Sequence, residues 1–411
     1  MLARLALRNL SRNRRRSALA LLVIASGAAA LLLTVGFIRY SFAGLGEAFV
    51  RGGLGHLEVA PTPSQRSGTG PERAGRPALE DWEAARAAIE ATPHVVGATG
   101  AIVVAGLASR DERSVPFVGV GLEPDREQKM GLQVRLKAGG GLSAAPPPVG
   151  EEEALLGLGL AGQLGAGAGD IVTLTAMTVD GTLNAIDVRV AGVVTTGVQD
   201  LDARFLRTHL VTVQRLLGTG AVSSIVVMLD ETARTEAARG EVAGRLARGW
   251  PNLEVTDWQA RAPFYGQVRS LYAGIFGFLG SVVLVLVLLS SSNTLLMAVM
   301  ERVPEIGALL AIGTSPGQVL KLILLEAVWL GLIGGGAGGV LGLGLGLLLH
   351  ALHIQMPPPP GAVESMDLQV QLLPWDVFWV TLLMVLVLVV AAVLPCLRIF
   401  RLRIAEALVH H

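Results

Sequence analysis

Few residues in this sequence combine the types and spacing that chemistry needs. Gly157-Leu158-Gly159-Leu160-Ala161-Gly162 has the spacing of a dinucleotide fingerprint, in which glycines let the backbone approach a pyrophosphate at a helix N-terminus. No strand is predicted before it, and Gly165 to Asp170 lead on into a strand, so ordinary packing is the expected role. His350 and His353 lie one helical turn apart and could hold a metal, but no third ligand stands near them in sequence, and an interfacial packing role is expected. The single cysteine, Cys396, leaves neither a disulfide scaffold nor a cysteine-based metal cluster. No G-x-x-x-x-G-K-[ST] cradle occurs, so any ATP used must be bound by another chain. No nucleophile and base stand out as a pair.

One stretch is organised for position instead. Glu301 to Gly313 is wedged between two long apolar runs, and Val303, Ile306 and Leu310 recur at spacings of three and four. A helix there carries one apolar face, with Glu301, Arg302 and Glu305 elsewhere on its circumference, which suits a helix lying along a membrane surface. Gly313 is placed as its C′ stop, and Ser315, Pro316 and Gln318 supply the N-cap, N1 and N3 residues of the next helix.

The elements that must hold this stretch are membrane spans. Of 411 residues 52% are hydrophobic and 16% charged, the composition of a membrane protein. Ala18 to Ile38 carries no charge over a length close to the roughly 20 residues that cross a bilayer, and it exceeds the apolar core of a signal peptide. Arg4, Arg8, Arg12, Arg14, Arg15 and Arg16 precede it with no acid among them, which predicts an inside N-terminus. The predicted spans are 18–39, 267–300 with a stalk, 315–350 and 374–397, around a coupling segment at 301–314 and between cytoplasmic ends at 1–17 and 398–411. The third span is crowded with glycines, including Gly331, Gly334, Gly335, Gly338, Gly339, Gly342 and Gly346, whose i, i+4 pairs permit close helix contact. Ser290 to Thr294 are expected to pack against neighbouring helices, and Arg39 and Glu326 to snorkel or form an interhelical pair. The loop 351–373 contains no Lys or Arg, whereas Arg398, Arg401 and Arg403 flank the last span, so both termini are expected inside.

Residues 40–266 form a large outer segment with 20 Lys and Arg against 26 Asp and Glu, a balance that argues against a nucleic-acid partner. Strands are predicted near 56–60, 95–108, 114–121, 171–177, 186–196 and 223–229, and helices at 79–91, 154–164 and 232–248. The expected fold class is therefore a membrane α-helical protein with four transmembrane helices and a large extracytoplasmic mixed α/β domain. The Gly- and Pro-rich stretch 139–150 is expected to link its two lobes.

Together these pieces resemble the FtsX-like permease family of ABC transporters, in the branch that contains the MacB and LolC/LolE permeases. The carriers are Ala6-Leu7-Arg8-Asn9-Leu10 with the Arg cluster, the large outer segment, Glu301-Arg302 through Ile306-Gly307 and Ala311-Ile312-Gly313, and Arg403-Ile404-Ala405-Glu406-Ala407-Leu408. The resemblance implies a porter-like lobe and a second lobe outside, and a bacterial inner-membrane location. It implies that Glu301, Arg302, Glu305, Ile306, Gly307, Leu310 and Gly313 belong to a coupling helix docked on a separate cytoplasmic ABC ATPase, which binds the ATP and Mg while this chain binds no cofactor. Expected partners are that ATPase, a second permease copy or paralogue, the lipid bilayer and a periplasmic cargo acceptor. The function implied is mechanotransmission that extracts or expels a hydrophobic or amphipathic cargo such as a lipoprotein, lipid or peptide. The competing expectation is a signalling permease that activates a periplasmic cell-wall hydrolase; the large outer segment counts against it. The absence of a fused ATPase in this sequence favours the LolC/LolE-like or stand-alone arrangement.

Overall fold

A computed structural model of the chain describes residues 14–62, 77–132, 134–311, 313–356 and 366–399. The first Arg residues, the four consecutive prolines at 357–360 and the closing motif at 403–408 lie outside them. Helix α1 (Arg14–Phe49) opens the chain and is followed by β1 (Leu57–Pro61), α2 (Trp82–Glu90), β2 (Val95–Arg110), β3 (Arg113–Leu122) and α3 (Pro124–Met130). Strands β4 (Arg135–Gly139) and β5 (Glu153–Gly157), helix α4 (Leu158–Leu164), strands β6 (Ile171–Met177), β7 (Leu183–Thr195) and β8 (Phe205–His209), and helix α5 (Leu210–Leu217) come next. Strand β9 (Ser224–Leu229), helix α6 (Thr235–Leu246) and strand β10 (Leu253–Asp257) complete the outer segment. Helices α7 (Pro263–Met300), α8 (Val303–Ala311), α9 (Pro316–Leu352) and α10 (Pro374–Ile399) complete the membrane part. The described residues divide into two compact units, those of 44–266 with Met366 and the remainder.

In the outer unit, β10, β1, β9 and the first half of β2 lie side by side with every neighbour antiparallel. With α2 after β1 and α6 after β9, this is the split β-α-β arrangement of a ferredoxin-like layer. Its core is the apolar face of the sheet under the two helices, where Leu57, Val59, Ala85, Ile89 and Val242 are buried.

The second half of β2 leaves that sheet. It pairs with β3 on one side and, at residues 107–109, with β6 on the other. From β3 the pairing runs through β8, β5 and β7 back to β6, so β2, β3, β8, β5, β7 and β6 close a ring with few free edges. Closure at β2/β6 requires Gly106, because a Cβ there would lie 2.2 Å from the Thr175 carbonyl oxygen. The ring is filled by Phe117, Leu156, Leu174 and Leu206, the inward members of alternating strands.

Two expectations are corrected here. Residues 154–157 belong to strand β5 rather than to a helix, which begins only at Leu158. All of Ala154 to Gly157 is buried, so the apolar run has no exposed face from which helical periodicity could be distinguished. The stretch 139–150 does not separate the lobes, since β4 before it and β5 after it both pair with β7. The boundary falls within β2, and the ring lobe is inserted between two strands of the ferredoxin-like layer. No composition signal marks it, because one strand serves both lobes.

Four helices are long and apolar enough to cross a membrane among the described residues: Ser17–Leu54, Pro263–Met300, Pro316–Leu352 and Pro374–Val393. Helix α9 packs between α1 and α10 through two glycine stripes. A Cβ at Gly334 or Gly338 would lie 2.6 Å from Ile24 or 2.5 Å from Ala28 on α1, and one at Gly331 or Gly335 would meet the Val385 or Thr381 Cα on α10 at 2.6 and 2.9 Å. The expected close contacts of the glycine helix are made, and they lie on two of its faces.

Candidate functional site

Helix α8 is the short element expected to dock a partner. Val303 is buried and Ile306 packs on the apolar cluster of Val299, Val319 and Ile323 from α7 and α9. Gly307 is also buried, while Glu301, Pro304, Glu305, Ala308 and Ala311 are exposed. Among the described side chains, the outward ones are therefore small residues, Pro304 and two carboxylates; the Leu309 side chain lies outside the described residues. Ile312 and the Leu310 side chain fall outside the description, so the third member of the predicted apolar face has no described contacts.

Both ends of α8 are held. At its end Gly313 has a φ of +95°, the left-handed value a helix stop needs. Ser315 and Gln318 then form a capping box on α9, with the Gln318 side chain accepting from the Ser315 amide at 3.2 Å. At its start Arg302 turns inward and donates from Nη1 to Glu326 Oε1 at 2.9 Å, with side-chain exposures of 18% and 9%. Of the residues expected on a docking surface, Glu301 and Glu305 lie outward, while Arg302, Ile306 and Gly307 face the helix packing. The interhelical pair anticipated for Glu326 is made, and Arg302 is its partner.

At the other end of the spans, Arg39 on α1 grips Asp376 on α10 with both guanidinium nitrogens, one at 2.7 Å and one closer. Asp376 Oδ2 also accepts from the Leu373 amide at 2.8 Å, and the Gln371 amide donates to the Gly36 carbonyl at 3.1 Å. Residues 368–373 are thereby fastened to α1. A bidentate Arg-carboxylate pair fixes geometry as well as charge. Of the interrupted polar run on α7, Ser291 and Ser292 are buried and Thr294 bonds back to the Ser290 carbonyl at 2.9 Å, in keeping with packing.

The outer unit has its own collar of polar contacts. Arg207 on β8 pairs with Glu127 on α3 at 3.1 Å and donates to the Gly52 carbonyl at 3.0 Å, both side chains being nearly inaccessible. Burial pushes the Glu127 carboxyl up from the usual carboxylate range, opposed by Arg207. His56 Nδ1 accepts from the Leu229 amide at 3.0 Å, so the neutral ring carries its proton on Nε2, which faces Thr232 Oγ1 at 2.9 Å. Thr232 in turn donates to Glu47. Burial holds the His56 imidazole below its ordinary value. None of these residues was singled out from sequence; only an arginine inside the alternating strand Phe205-Leu206-Arg207-Thr208-His209 offered a signal.

The glycine-rich spacing does follow a strand, contrary to the expectation, yet its space is taken. Cβ atoms at Gly157 and Gly159 would lie 2.4 Å from the Asp202 carbonyl oxygen and 2.7 Å from the Ala203 Cα, so the chain's own backbone occupies the approach that a pyrophosphate would need. The rings of His350 and His353 stand 6.0 Å apart, and no group of three or more potential metal ligands occurs among the described residues.

A family model described as FtsX-like permease C-terminal matches residues 275–404, and one described as MacB-like periplasmic core domain matches residues 17–245. The lipoprotein-releasing system transmembrane protein LolC of Xylella fastidiosa strain Temecula1 is 26% identical over 309 residues, 74% of this chain and 71% of the relative. The macrolide export ATP-binding/permease protein MacB of Acinetobacter baylyi is 28% identical over 138 residues, 33% of this chain and 21% of the relative. Among solved structures, the periplasmic region of MacB from Actinobacillus actinomycetemcomitans aligns with a TM-score of 0.35 and 14% identity over 52% of this chain and 94% of that one.

Proposed function

Because the chain belongs to the FtsX-like permeases that carry a MacB-like periplasmic core, we propose that it transmits ATP-driven motion from a separate cytoplasmic ATPase to its outer segment. It is an ABC transporter permease of the MacB/LolC type. The observation that carries the mechanistic reading is α8, whose described outward side chains are small or acidic while its other side is seated on the spans. A helix held at both ends can accept load on one face and pass it to its neighbours. ATP and Mg are bound in the ATPase, the functional unit contains a second permease copy or paralogue, and α8 lies on the cytoplasmic side of the inner membrane with both termini. The cargo is hydrophobic or amphipathic, a class that includes the lipoproteins and macrolides named for the relatives.

The test is affinity recovery of the ATPase on the detergent-solubilised full chain. The purified chain alone should not hydrolyse ATP, and the complex should. Glu305→Lys reverses charge at the exposed side of α8 without entering the apolar core, so recovery should fall about tenfold, equivalent to about 1.4 kcal/mol, with the melting temperature unchanged. Undiminished recovery would remove Glu305 from the docking surface.

A further inference from the structure

Arg302 was expected to face a partner, and its guanidinium turns inward to Glu326. It is the second residue of the two-residue joint between α7 and α8, directly before α8, and reaches 2.9 Å to a carboxylate ten residues into α9. Glu326 stands beside Ile323, Ala327 and Leu330, all buried in the apolar cluster that unites the helices. An apolar pair of similar volume would pack there without the desolvation cost of two charges, and replacing buried ion pairs by apolar residues is often neutral or stabilising. Cohesion alone therefore does not explain the pair. What a guanidinium-carboxylate contact adds is direction, because it tolerates less sliding and rotation than apolar contact does.

The surroundings give that direction a use. Helix α8 is joined to α9 by a short turn through Gly313 and a capping box, so its far end is already tied to the start of α9. The Arg302–Glu326 contact ties its near end to the same helix. Helix α9 in turn meets α1 through Gly334 and Gly338 and α10 through Gly331 and Gly335, with room for no side chain at those positions. A displacement of α8 is thus delivered to α9, and α9 cannot shift without pressing on both neighbours.

We propose that Arg302 and Glu326 are a positioning pair that keys α8 to α9, so that load accepted on the exposed side of α8 moves α9 as one body with it. The inference rests on the proposed function, since it assumes that α8 receives an ATPase. It assigns Arg302 to transmission within this chain, not to contact with the partner.

The experiment uses the full chain in lipid nanodiscs with the ATPase recovered by the wild-type chain, and reads ATPase recovery, permease-stimulated hydrolysis and melting temperature together. Arg302→Glu and Glu326→Arg are each expected to retain recovery within about threefold while stimulation falls at least about tenfold. The charge-exchanged pair R302E/E326R should regain most of the stimulation. The neutral pair R302Q/E326Q removes both charges of the contact together, so it tests the idea even where the single variants fail to fold. If it melts like wild type yet stimulates poorly, the pair acts by position. Wild-type stimulation in R302Q/E326Q would overturn the proposal, as would loss of recovery in Arg302→Glu that Glu326→Arg does not share, which marks Arg302 as a docking residue. A wild-type chain that recovers no ATPase refutes the proposed function itself and the inference with it, an outcome separate from a complex that forms but ignores the pair.

Discussion

Adding one methyl group to different glycines of α9 should produce effects of opposite sign. At Gly338 a Cβ would lie 2.7 Å from the Ala25 carbonyl oxygen and 2.5 Å from the Ala28 Cβ, where ordinary contact begins near 3.4 Å. The shortfall is about 0.7–0.9 Å, and since one of the atoms is backbone, α1 must move away from α9 by a comparable distance. A gap of that size forfeits a quarter to a half of the dispersion well for each contact it opens, and Ile24, Ala25, Ala28 and Leu32 are all buried in this region. Overpacking of this kind costs about 1–3 kcal/mol. At Gly336 nothing lies within 4 Å of the same atom, and at Gly342 the nearest neighbour, Leu32, is at 3.4 Å. Because all three positions share the helix-propensity gain of Gly→Ala, about 1 kcal/mol, that gain cancels in the comparison. Gly338→Ala should therefore be about 1–3 kcal/mol less stable than Gly336→Ala, with Gly342→Ala close to the latter. Unfolding of the purified chain in mixed micelles, titrated with SDS and followed by circular dichroism, measures the differences. Equal stability of Gly338→Ala and Gly336→Ala would refute the packing of α9 against α1.

The collar of the outer unit responds to pH. His56 and His209 are both held below the ordinary histidine value by burial, so the folded chain binds fewer protons there than the unfolded chain does. Their stabilisation is complete above the unfolded value of 6.5 and is lost as pH falls below it towards the folded values. Glu47 and Asp230 oppose the His56 shift and Arg51 supports it, while Glu127, with its raised value, contributes in the opposite direction as pH rises through the carboxylate range. His56→Gln keeps an acceptor for Leu229 and a donor for Thr232 but cannot titrate, so its melting temperature should fall less between pH 7.5 and 5.5; an unchanged slope would exclude His56. Arg207→Met leaves Glu127 buried without its counter-charge and should cost about 3–5 kcal/mol in chemical unfolding, whereas R207M/E127L should recover most of that loss. A cysteine at Asp180, exposed in the β6–β7 turn, should react with impermeant maleimide added outside intact cells in a Cys396→Ser background, and one at Ala308 should not; labelling of the Ala308 variant would reverse the proposed orientation.

The membrane part was legible because its signal is local. A bilayer demands uncharged helices of a set length, and each span shows that in its own residues, as do Gly313 and the Ser315-Pro316-Gly317-Gln318 cap that bound α8. The glycine stripes of α9 announced close contact, but which stripe meets α1 and which meets α10 follows from the way the helices assemble. In the outer unit the long alternating strands β2, β3, β6 and β7 were readable from their own periodicity, and the buried run 154–157 was not, because a strand covered on both faces loses the alternation that identifies it. Lobe membership was beyond local reading altogether: β2 belongs to both lobes, and its division depends on partners up to about 130 residues away along the chain. The roles of the charged residues divide in the same way. Sequence determined that Arg39, Arg302, Glu326 and Asp376 stand at the ends of apolar runs, where charge is costly unless paired. Only the tertiary structure decided the pairs, Arg39 with Asp376 and Arg302 with Glu326, because an ion pair depends on the distance between helices and not on distance along the chain.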